Sequence, residues 1–350
     1  MTEEPEVLCR IESGVGRITL NRPRALHALT TGMCEAMIVA LRGWKADPAV
    51  QCVLIDHSGE RGFCAGGDIR MLAESGAGDG KAARAFFHTE YRLNHLLFVY
   101  PKPVVAVMDG VTMGGGVGLS MPSSVRIATE RTTFAMPETG IGLFPDVGGG
   151  WFLPRLPGRT GLWLALTGAR IKGADCCALG IATHFIPSER VEAFKAALLA
   201  HPGRVAAALA GYVEDPGHPR IAAHRADIDR LFGGDSVEAI LGELAAEKSA
   251  WAAEQLATLQ TKSPQTLKVA FRQLKAGAAL TDFADNMAME YRIGARVVRL
   301  HDFLEGVRAV IVDKDNAPRW SPATVEAVDP ALLDDIFAPL PAGEEWTPLT

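Results

Sequence analysis

The chain has 350 residues, of which 48% are hydrophobic and 22% are charged, with 35 Lys and Arg against 41 Asp and Glu. A composition this apolar can bury a substantial core, which excludes a mainly disordered chain. The formal net charge of -6 and the lack of a long basic run disfavour nucleic-acid and anionic-membrane partners, because both require clustered positive charge.

The sequence also contains few signals of export or metal binding. No apolar run reaches the roughly 18 residues that span a bilayer, and the acidic start, residues 1–6, is unlike a signal or transit peptide. The cysteines form no CxxC pair, and no HExxH motif occurs. We therefore expect a reduced, intracellular protein without a metal, and we assign it to the cytoplasm.

Strand and helix signals alternate over residues 1–202. Residues 7–11 and 17–20 alternate polar and apolar side chains around the glycines of 14–16, which predicts a hairpin, and Thr30 or Thr31 begins a helix. Three buried strands and one long helix are predicted beyond them: 50–55, 103–108 and 125–128 as the strands, and 81–99 as the helix. This alternation is typical of an α/β protein.

The pattern changes near residue 202, where strand signals stop and Ala and Leu become frequent. Ser263 followed by Pro264 is typical of a helix N-terminus. We predict a core over residues 1–202, a helical region over 203–320 and a tail over 321–350.

Three glycine-rich turns are candidates for a ligand site: residues 63–69, 108–118 and 140–150. Glycines let backbone N–H groups approach a ligand, and a helix N-terminus favours negative charge. The alternative is that the glycines only permit tight turns and close packing. Because α/β sheets place sites at strand ends, two such turns after consecutive strands favour a site. No GxGxxG, Walker A or GxSxG motif is present, which disfavours nucleotide and serine-hydrolase chemistry.

Two carboxylates belong to the third turn. Glu138 follows Pro137, and Asp146 lies among apolar residues and glycines. A poorly solvated carboxylate can act as base, acid or nucleophile near neutral pH. Helix or turn capping is the alternative for both residues.

Glu90 is a third candidate. It shares the apolar stripe of the predicted helix 81–99 with Phe86 and Leu93. An acid on such a stripe needs a partner or a function. Arg84 and Arg92 are the nearest basic residues in sequence, and either is an alternative explanation as an ion-pair partner.

The chain resembles the crotonase (enoyl-CoA hydratase/isomerase) superfamily at residues 21–23, 63–69 and 114–116. Residues 134–150 are similar to the 3-hydroxyisobutyryl-CoA hydrolases within that superfamily, and the similarity extends over residues 7–320. The resemblance implies an α/β fold in which a crotonase-like spiral of ββα units precedes a helical C-terminal region.

The same resemblance implies roles for individual residues. Glu138 is the principal catalytic carboxylate, Asp146 is its partner, and Glu90 contacts the substrate hydroxyl or shapes the site. The backbone N–H groups of Ala65 and Gly115 form an oxyanion hole, and Glu90, Gly115, Glu138 and Asp146 contact the substrate. The residues implied to line the CoA channel are Arg24, Ala25, Leu26, Ala65, Gly66, Gly67, Asp68 and Ile69.

Two positions depart from the superfamily pattern. Its hydratases carry a second glutamate shortly after the glycine triplet, and this chain has Gly118 there, which disfavours hydration by two glutamates. His27 stands where many members have Asn, at the entrance of the implied CoA channel.

The resemblance implies a thioester hydrolase acting on 3-hydroxyisobutyryl-CoA in valine catabolism, with no cofactor apart from the CoA of its substrate. Two alternatives stay open: enoyl-CoA hydratase or isomerase chemistry on the same scaffold, and acyl-CoA binding without catalysis. The sequence also leaves open the preference between 3-hydroxyisobutyryl and 3-hydroxypropionyl groups, the role of Glu138 as base or nucleophile, and the formation of a homo-oligomer.

Overall fold

Two β-sheets organise residues 4–349, which the computed structural model describes. Their strands are β1 (Val7–Glu12), β2 (Val15–Leu20), β3 (Cys52–His57), β4 (Gly62–Cys64), β5 (Val104–Met108), β6 (Val111–Met113), β7 (Val125–Ala128), β8 (Thr133–Ala135), β9 (Ile171–Lys172) and β10 (His184–Phe185). Residues 1–3 of the acidic start lie outside the described residues.

Helices cover the sheets and form most of the C-terminal part. The α-helices are α1 (Thr31–Ala46), α2 (Ile69–Ala77), α3 (Lys81–Phe98), α4 (Gly115–Ser120), α5 (Gly149–Phe152), α6 (Thr160–Thr167), α7 (Gly173–Ala178), α8 (Val191–Ala200), α9 (Val205–Ala210), α10 (Arg225–Leu231), α11 (Val237–Ala246), α12 (Ala250–Gln260), α13 (Pro264–Ala279), α14 (Phe283–Val297), α15 (His301–Val307) and α16 (Pro330–Phe337). Short 3-10 helices occupy Pro23–Ala25, Glu138–Ile141, Leu153–Arg155, Ser188–Arg190, Arg220–His224 and Val325–Ala327, and Arg308–Val312 is a π-helix. No helix within residues 4–349 is long and apolar enough to cross a membrane.

The larger sheet has six strands in the order β1-β2-β3-β5-β7-β10, and all its pairs except β1–β2 are parallel. The predicted hairpin is present, but its turn is tighter than expected, since Val15 already pairs with Glu12. Ser13 and Gly14 both have positive φ angles, 51° and 85°. Such a turn matches the right-handed twist of the flanking strands.

Both faces of this sheet are buried. Alternate residues of β3 face opposite sides, with Val53 and Ile55 in the main core and Leu54 in a second core. Helices α8 and α9 cover that second face with side chains such as Phe194. The continuous apolar strands of the sequence therefore reflect burial on both faces.

The smaller sheet brings the glycine-rich turns together. Its strands β4, β6 and β8 are adjacent and parallel, and β9 closes the sheet antiparallel to β8. Parallel neighbours end at the same edge, so the segments that follow them meet there. These segments are residues 65–67, 114–115 and 136–138.

The residues after 202 are helical up to the π-helix, as predicted, with α14 against α3 and α15 against α2. The tail contains one helix that the sequence analysis missed, α16, although Asp329 followed by Pro330 is a helix-start signal. Beyond it, the indole N–H of Trp346 donates to the carbonyl of His88 on α3. One apolar core runs through all three predicted regions, whose boundaries stay predictions.

Candidate active site

A cavity of about 70 Å³ lies at the carboxyl ends of β4, β6 and β8. It is large enough for a short acyl group, because one water needs only about 10–15 Å³ on the same measure. The three predicted acids, Glu90, Glu138 and Asp146, line it. So do residues of the two predicted glycine turns: Ala65, Gly66, Gly67, Ile69 and Gly115.

The two glycine turns touch each other beside this cavity. A methyl group on Gly114 would lie only 3.0 Å from the Cα of Gly66, and both residues have positive φ angles, 46° and 125°. Gly115 is the first residue of α4. Its N–H belongs to the first helical turn, where backbone donors have no partner within the helix. No acceptor for this N–H is found within residues 4–349, so the predicted Gly115 donor is free at the cavity wall.

Ala65 is a less suitable donor than its neighbour Gly67. The N–H of Ala65 donates to the carbonyl of Leu26 at 2.9 Å, so it is already occupied. The carbonyl of Gly66 accepts the N–H of Leu29, and the N–H of Asp68 donates to the carbonyl of Leu29. Because backbone groups alternate in direction along an extended segment, the N–H of Gly67 points away from Leu29. This geometry favours Gly67 over Ala65 as the second amide donor.

Glu138 begins the 3-10 helix Glu138–Ile141 and is only 5% exposed. Its Oε2 atom is buried without a hydrogen-bond partner among residues 4–349, which disfavours the capping alternative. A methyl group on Gly114 would lie 3.5 Å from Oε1, so the carboxyl group is beside the free amides. Burial, and then the charge of Asp146, raises the pKa of Glu138 well above its ordinary value.

Asp146 is also 5% exposed, and its side chain has one clear donor. The hydroxyl of Tyr91 donates to Oδ2 at 2.9 Å. Burial raises the pKa of Asp146 to about 7, and the Tyr91 hydrogen bond opposes that increase. The next residue, Val147, has a φ of 52°, which is an outlier for a β-branched residue and indicates local strain.

Glu90 lies on the buried face of α3, as predicted, and is 1% exposed. Neither arginine is its partner, since Arg84 bonds to Glu344 and Arg92 to Thr347 in the tail. Its Oε1 has no hydrogen-bond partner in the described part of the chain. Burial, followed by the charges of Asp146 and Glu290, raises the pKa of Glu90 well above its ordinary value.

Glu290 is a buried acid to which the sequence analysis gave no role. Its two oxygens accept the N–H groups of Gly148 and Gly150, each at 2.8 Å, and the amides of Asn286 and Gln273. Its pKa is raised to about 8 by burial. The glycines of the third turn therefore wrap an internal carboxylate and not a ligand. An acid on the buried face of α14 was the available signal, the same one that identified Glu90.

Gln273 holds the other end of this loop, because its Nε2 donates to the carbonyl of Pro145 at 2.7 Å. Asp146 therefore lies between two segments whose backbone is held by α13 and α14.

The implied CoA-channel residues are only partly together. Arg24 and Ala25 are exposed on the 3-10 helix Pro23–Ala25, and neither they nor Leu26 line the cavity. Asp68 caps α2 and forms an ion pair with Arg22 at 3.3 Å. Their contacts with CoA stay predictions.

His27 is a structural residue in this loop. Its Nδ1 accepts the N–H of Arg22 at 3.0 Å, so the proton is on Nε2, which donates to the carbonyl of Ser58 at 2.9 Å. With 1% of its surface exposed, the ring connects two loops and has no free nitrogen for a ligand.

Gly118 lacks a side chain because the space is occupied. A Cβ atom there would lie 2.7 Å from the Cβ of Val147 and 2.7 Å from Nδ2 of Asn94. A glutamate at this position would collide with both residues. The departure noted in the sequence is therefore coupled to the strained loop that carries Asp146.

Replacing Gly118 by Ala is expected to lower the free energy of unfolding by about 1–3 kcal/mol, the usual cost of overpacking a dense core. Gly242→Ala is the matched control, because nothing lies within 4 Å of that position in α11. Urea unfolding of both variants measures the difference. Equal midpoints for Gly118→Ala and the unsubstituted protein would contradict the packing described here.

Comparisons with known proteins agree with the fold. The family described as enoyl-CoA hydratase/isomerase matches residues 15–337. The chain is 47% identical over 344 residues to a 3-hydroxyisobutyryl-CoA hydrolase, mitochondrial, of Danio rerio, covering 96% of this chain and 90% of the relative. The corresponding protein of Homo sapiens is 44% identical over 344 residues, covering 96% and 89%.

Two solved structures are similar over almost their full lengths. A carnitinyl-CoA dehydratase from Mycobacterium thermoresistibile has a TM-score of 0.94 at 42% identity, covering 98% of this chain and 99% of that one. An enoyl-CoA hydratase from Rhodobacter sphaeroides 2.4.1 has a TM-score of 0.91 at 41% identity, covering 98% and 100%. The predicted crotonase-like fold is confirmed.

The assignment to the cytoplasm is wrong by the same comparisons, because the hydrolases of Danio rerio, Xenopus laevis and Homo sapiens are all named as mitochondrial. An acidic N-terminal segment does not report a compartment. The family match and the identity over nearly the whole chain leave one conclusion: the chain belongs to the enoyl-CoA hydratase/isomerase family.

Proposed function

We propose that this chain hydrolyses 3-hydroxyisobutyryl-CoA to 3-hydroxyisobutyrate and CoA, a step of valine catabolism. The observation that carries the proposal is the position of Glu138 and Asp146 beside the free amides of Gly67 and Gly115. The relatives named as 3-hydroxyisobutyryl-CoA hydrolases support it.

The amides act on the thioester carbonyl. Attack on that carbonyl places negative charge on its oxygen, and backbone N–H groups aimed at the oxygen stabilise the charge. Loss of one such donor typically costs about 2.7–4 kcal/mol of transition-state stabilisation. We assign this role to the N–H groups of Gly115 and Gly67, which replaces the predicted Ala65 because the Ala65 donor is occupied.

Glu138 activates the water that attacks the acyl carbon, or attacks that carbon itself. Its carboxylate either takes a proton from water or bonds to the acyl carbon, forming an anhydride that water then cleaves. In both routes the oxygen of water ends on the acyl carbon, the carbon–sulfur bond breaks and a proton goes to the departing thiolate. Asp146, held by Tyr91, accepts a hydrogen bond from the substrate hydroxyl, and Glu90 lines the same cavity.

Alkene hydration on this scaffold is the second candidate, since the similar solved structures are described as a dehydratase and a hydratase. The filled space at Gly118 disfavours it, because no second glutamate fits there. A protein that only binds acyl-CoA would have no need of buried acids without partners, whose burial costs stability.

One assay distinguishes these functions. The purified chain is incubated with 3-hydroxyisobutyryl-CoA while free thiol is measured, and a parallel sample follows the absorbance of crotonyl-CoA. We expect thiol release and no loss of the crotonyl double bond. Loss of the double bond without thiol would establish hydration, and no change in either sample would leave binding alone.

Replacing Tyr91 by Phe is expected to shift the acidic limb of the rate profile to higher pH. The hydroxyl favours the ionised form of Asp146, so its loss raises the pKa of Asp146 above about 7. A hydrogen bond to a charged group contributes about 1.5–3 kcal/mol, which corresponds to roughly one to two pH units. The variant is therefore slower near neutrality and recovers as the pH rises.

The measurement is kcat against pH for the variant and for a control, Tyr212→Phe. The Tyr212 ring lies near the guanidinium of Arg190, and Tyr212 is not among the residues that line the cavity. An unchanged acidic limb in Tyr91→Phe would remove Asp146 as the group that titrates.

A further inference from the structure

The charge of the cavity wall is unbalanced. Three acids line it, and no Lys, Arg or His is among its lining residues within the described chain. Behind Asp146 lies a fourth acid, Glu290, whose partners are neutral amides. Lys262 contacts the outside of the turn near Gly140, 3.4 Å from where a Cβ would be, but it does not line the cavity.

Two of these acids have an oxygen without a hydrogen-bond donor in the described residues. Oε1 of Glu90 and Oε2 of Glu138 have no partner in residues 4–349, and the one side-chain donor to Asp146 is the neutral hydroxyl of Tyr91. A buried acceptor without a donor is costly, so the wall favours a ligand that brings hydrogens. An alcohol brings one hydrogen, an ammonium brings three and a positive charge, and a carboxylate brings none.

The rest of the wall offers an ammonium no like charge. Phe86 and Phe87 line it beside the acids, and no cationic side chain of the described residues does. A buried ammonium is stable when it is paired and fully hydrogen-bonded, and the acids provide both conditions. An acyl group with a terminal carboxylate would instead bury a negative charge in a cavity whose lining, within the described residues, holds no cationic side chain to pair with it.

We propose that the cavity selects acyl groups by charge, so that 3-aminoacyl-CoA thioesters, bound as ammonium ions, are a further substrate class and acyl groups ending in a carboxylate are excluded. This inference rests on the function proposed above. The reaction is the same hydrolysis: water adds to the acyl carbon, the carbon–sulfur bond breaks, and the products are a 3-aminocarboxylic acid and the free thiol of CoA.

Proton release accompanies binding. The free wall retains protons because burial raises the pKa of Glu90, Glu138 and Asp146. An ammonium favours their charged forms and lowers those pKa values again. Binding of the amine therefore releases more protons to the buffer near neutral pH than binding of the alcohol does.

The test compares four thioesters that share one 2-methyl branch: 3-hydroxyisobutyryl-CoA, 3-aminoisobutyryl-CoA, 2-methylbutyryl-CoA and methylmalonyl-CoA. In the first three, the third carbon carries a hydroxyl, an ammonium and a methyl group, respectively. In methylmalonyl-CoA the third carbon is itself the carboxylate carbon. We expect kcat/KM for the amine at least about tenfold above that for 2-methylbutyryl-CoA, because a polar site rejects a ligand that leaves its groups unpaired. Methylmalonyl-CoA is expected at least about a hundredfold below 3-hydroxyisobutyryl-CoA, since its carboxylate finds no cationic partner in the lining of the cavity.

A smaller ratio in either comparison overturns the proposal. If 3-hydroxyisobutyryl-CoA itself releases no thiol, the proposed function fails, and binding decides the inference separately. For that measurement the same acyl groups are carried on CoA analogues in which a methylene replaces the thioester sulfur. Calorimetry in two buffers then supports the inference if the amine analogue binds at least about tenfold tighter than the methyl analogue and releases protons, and otherwise overturns it.

Glu90→Gln gives a second measurement with little change of shape. It removes one acid from the wall, so the ratio of kcat/KM for the amine to that for the alcohol is expected to fall about tenfold. Glu243→Gln, an exposed position on α11, is the matched control and leaves the ratio unchanged. An equal ratio in Glu90→Gln and the unsubstituted protein contradicts charge selection by this wall.

Discussion

Replacing Glu138 by Gln is expected to lower kcat for thioester hydrolysis by at least about 10³-fold, the range in which loss of a positioned base or nucleophile falls. Gln has nearly the same shape but neither takes a proton from water nor bonds to the acyl carbon. The Glu138 side chain lies beside the free amides and is 5% exposed, so a carboxylate from solution cannot replace it. The measurement is thiol release under saturating 3-hydroxyisobutyryl-CoA.

A measurement of acyl-CoA binding distinguishes the loss of catalysis in Glu138→Gln from misfolding. The affinity for acyl-CoA is expected to stay within a few-fold, because the cavity wall and the amide donors are unchanged. Glu243→Gln serves as the control with normal turnover, since that side chain is exposed on α11. Near-normal hydrolysis by Glu138→Gln would remove Glu138 from the mechanism.

Replacing Asp146 by Asn is expected to lower kcat/KM about 10²-fold, as a hydrogen bond between a charged acceptor and the substrate hydroxyl contributes about 1.5–3 kcal/mol. Asn retains an oxygen that accepts the Tyr91 hydroxyl, so the loop is expected to keep its position. Because burial raises the pKa of Asp146 to about 7, a titration near that pH is expected to disappear when the carboxyl group is removed.

The pH profile of Asp146→Asn is the decisive measurement. We expect the rate of the unsubstituted protein to rise with pH through about 7, and we expect Asp146→Asn to lack that rise between pH 5 and 9. Asp285→Asn, an exposed position in the first turn of α14, is the matched control. A profile with the same rise would assign that titration to another acid of the wall.

Much of the fold follows from local pattern. The helix predicted over 81–99 is Lys81–Phe98, and the strand predicted over 125–128 is β7. These elements can be predicted because the spacing of their apolar residues depends on whether one face or both faces are buried. Helix α16 was missed because its eight residues are too few to show a period.

The sequence predicted which acids lie together, although their roles stay predictions. Glu90 was identified because it is polar on an apolar stripe, and Glu138 and Asp146 because they lie in apolar, glycine-rich surroundings. All three line one cavity together with Gly115. Burial of an ionisable group is costly, so an acid within an otherwise apolar pattern is unusual and can be identified from the sequence.

The partners of those residues depended on tertiary structure. Tyr91 on α3 reaches Asp146 in a loop, and Glu290 binds a turn more than a hundred residues away. The choice between the Ala65 and Gly67 amides depends on a hydrogen bond from Ala65 to Leu26. A hydrogen bond needs donor and acceptor within about 3 Å at a suitable angle. Side-chain types and spacing along the chain indicate which groups are available, but only the packing of distant segments decides which of them meet.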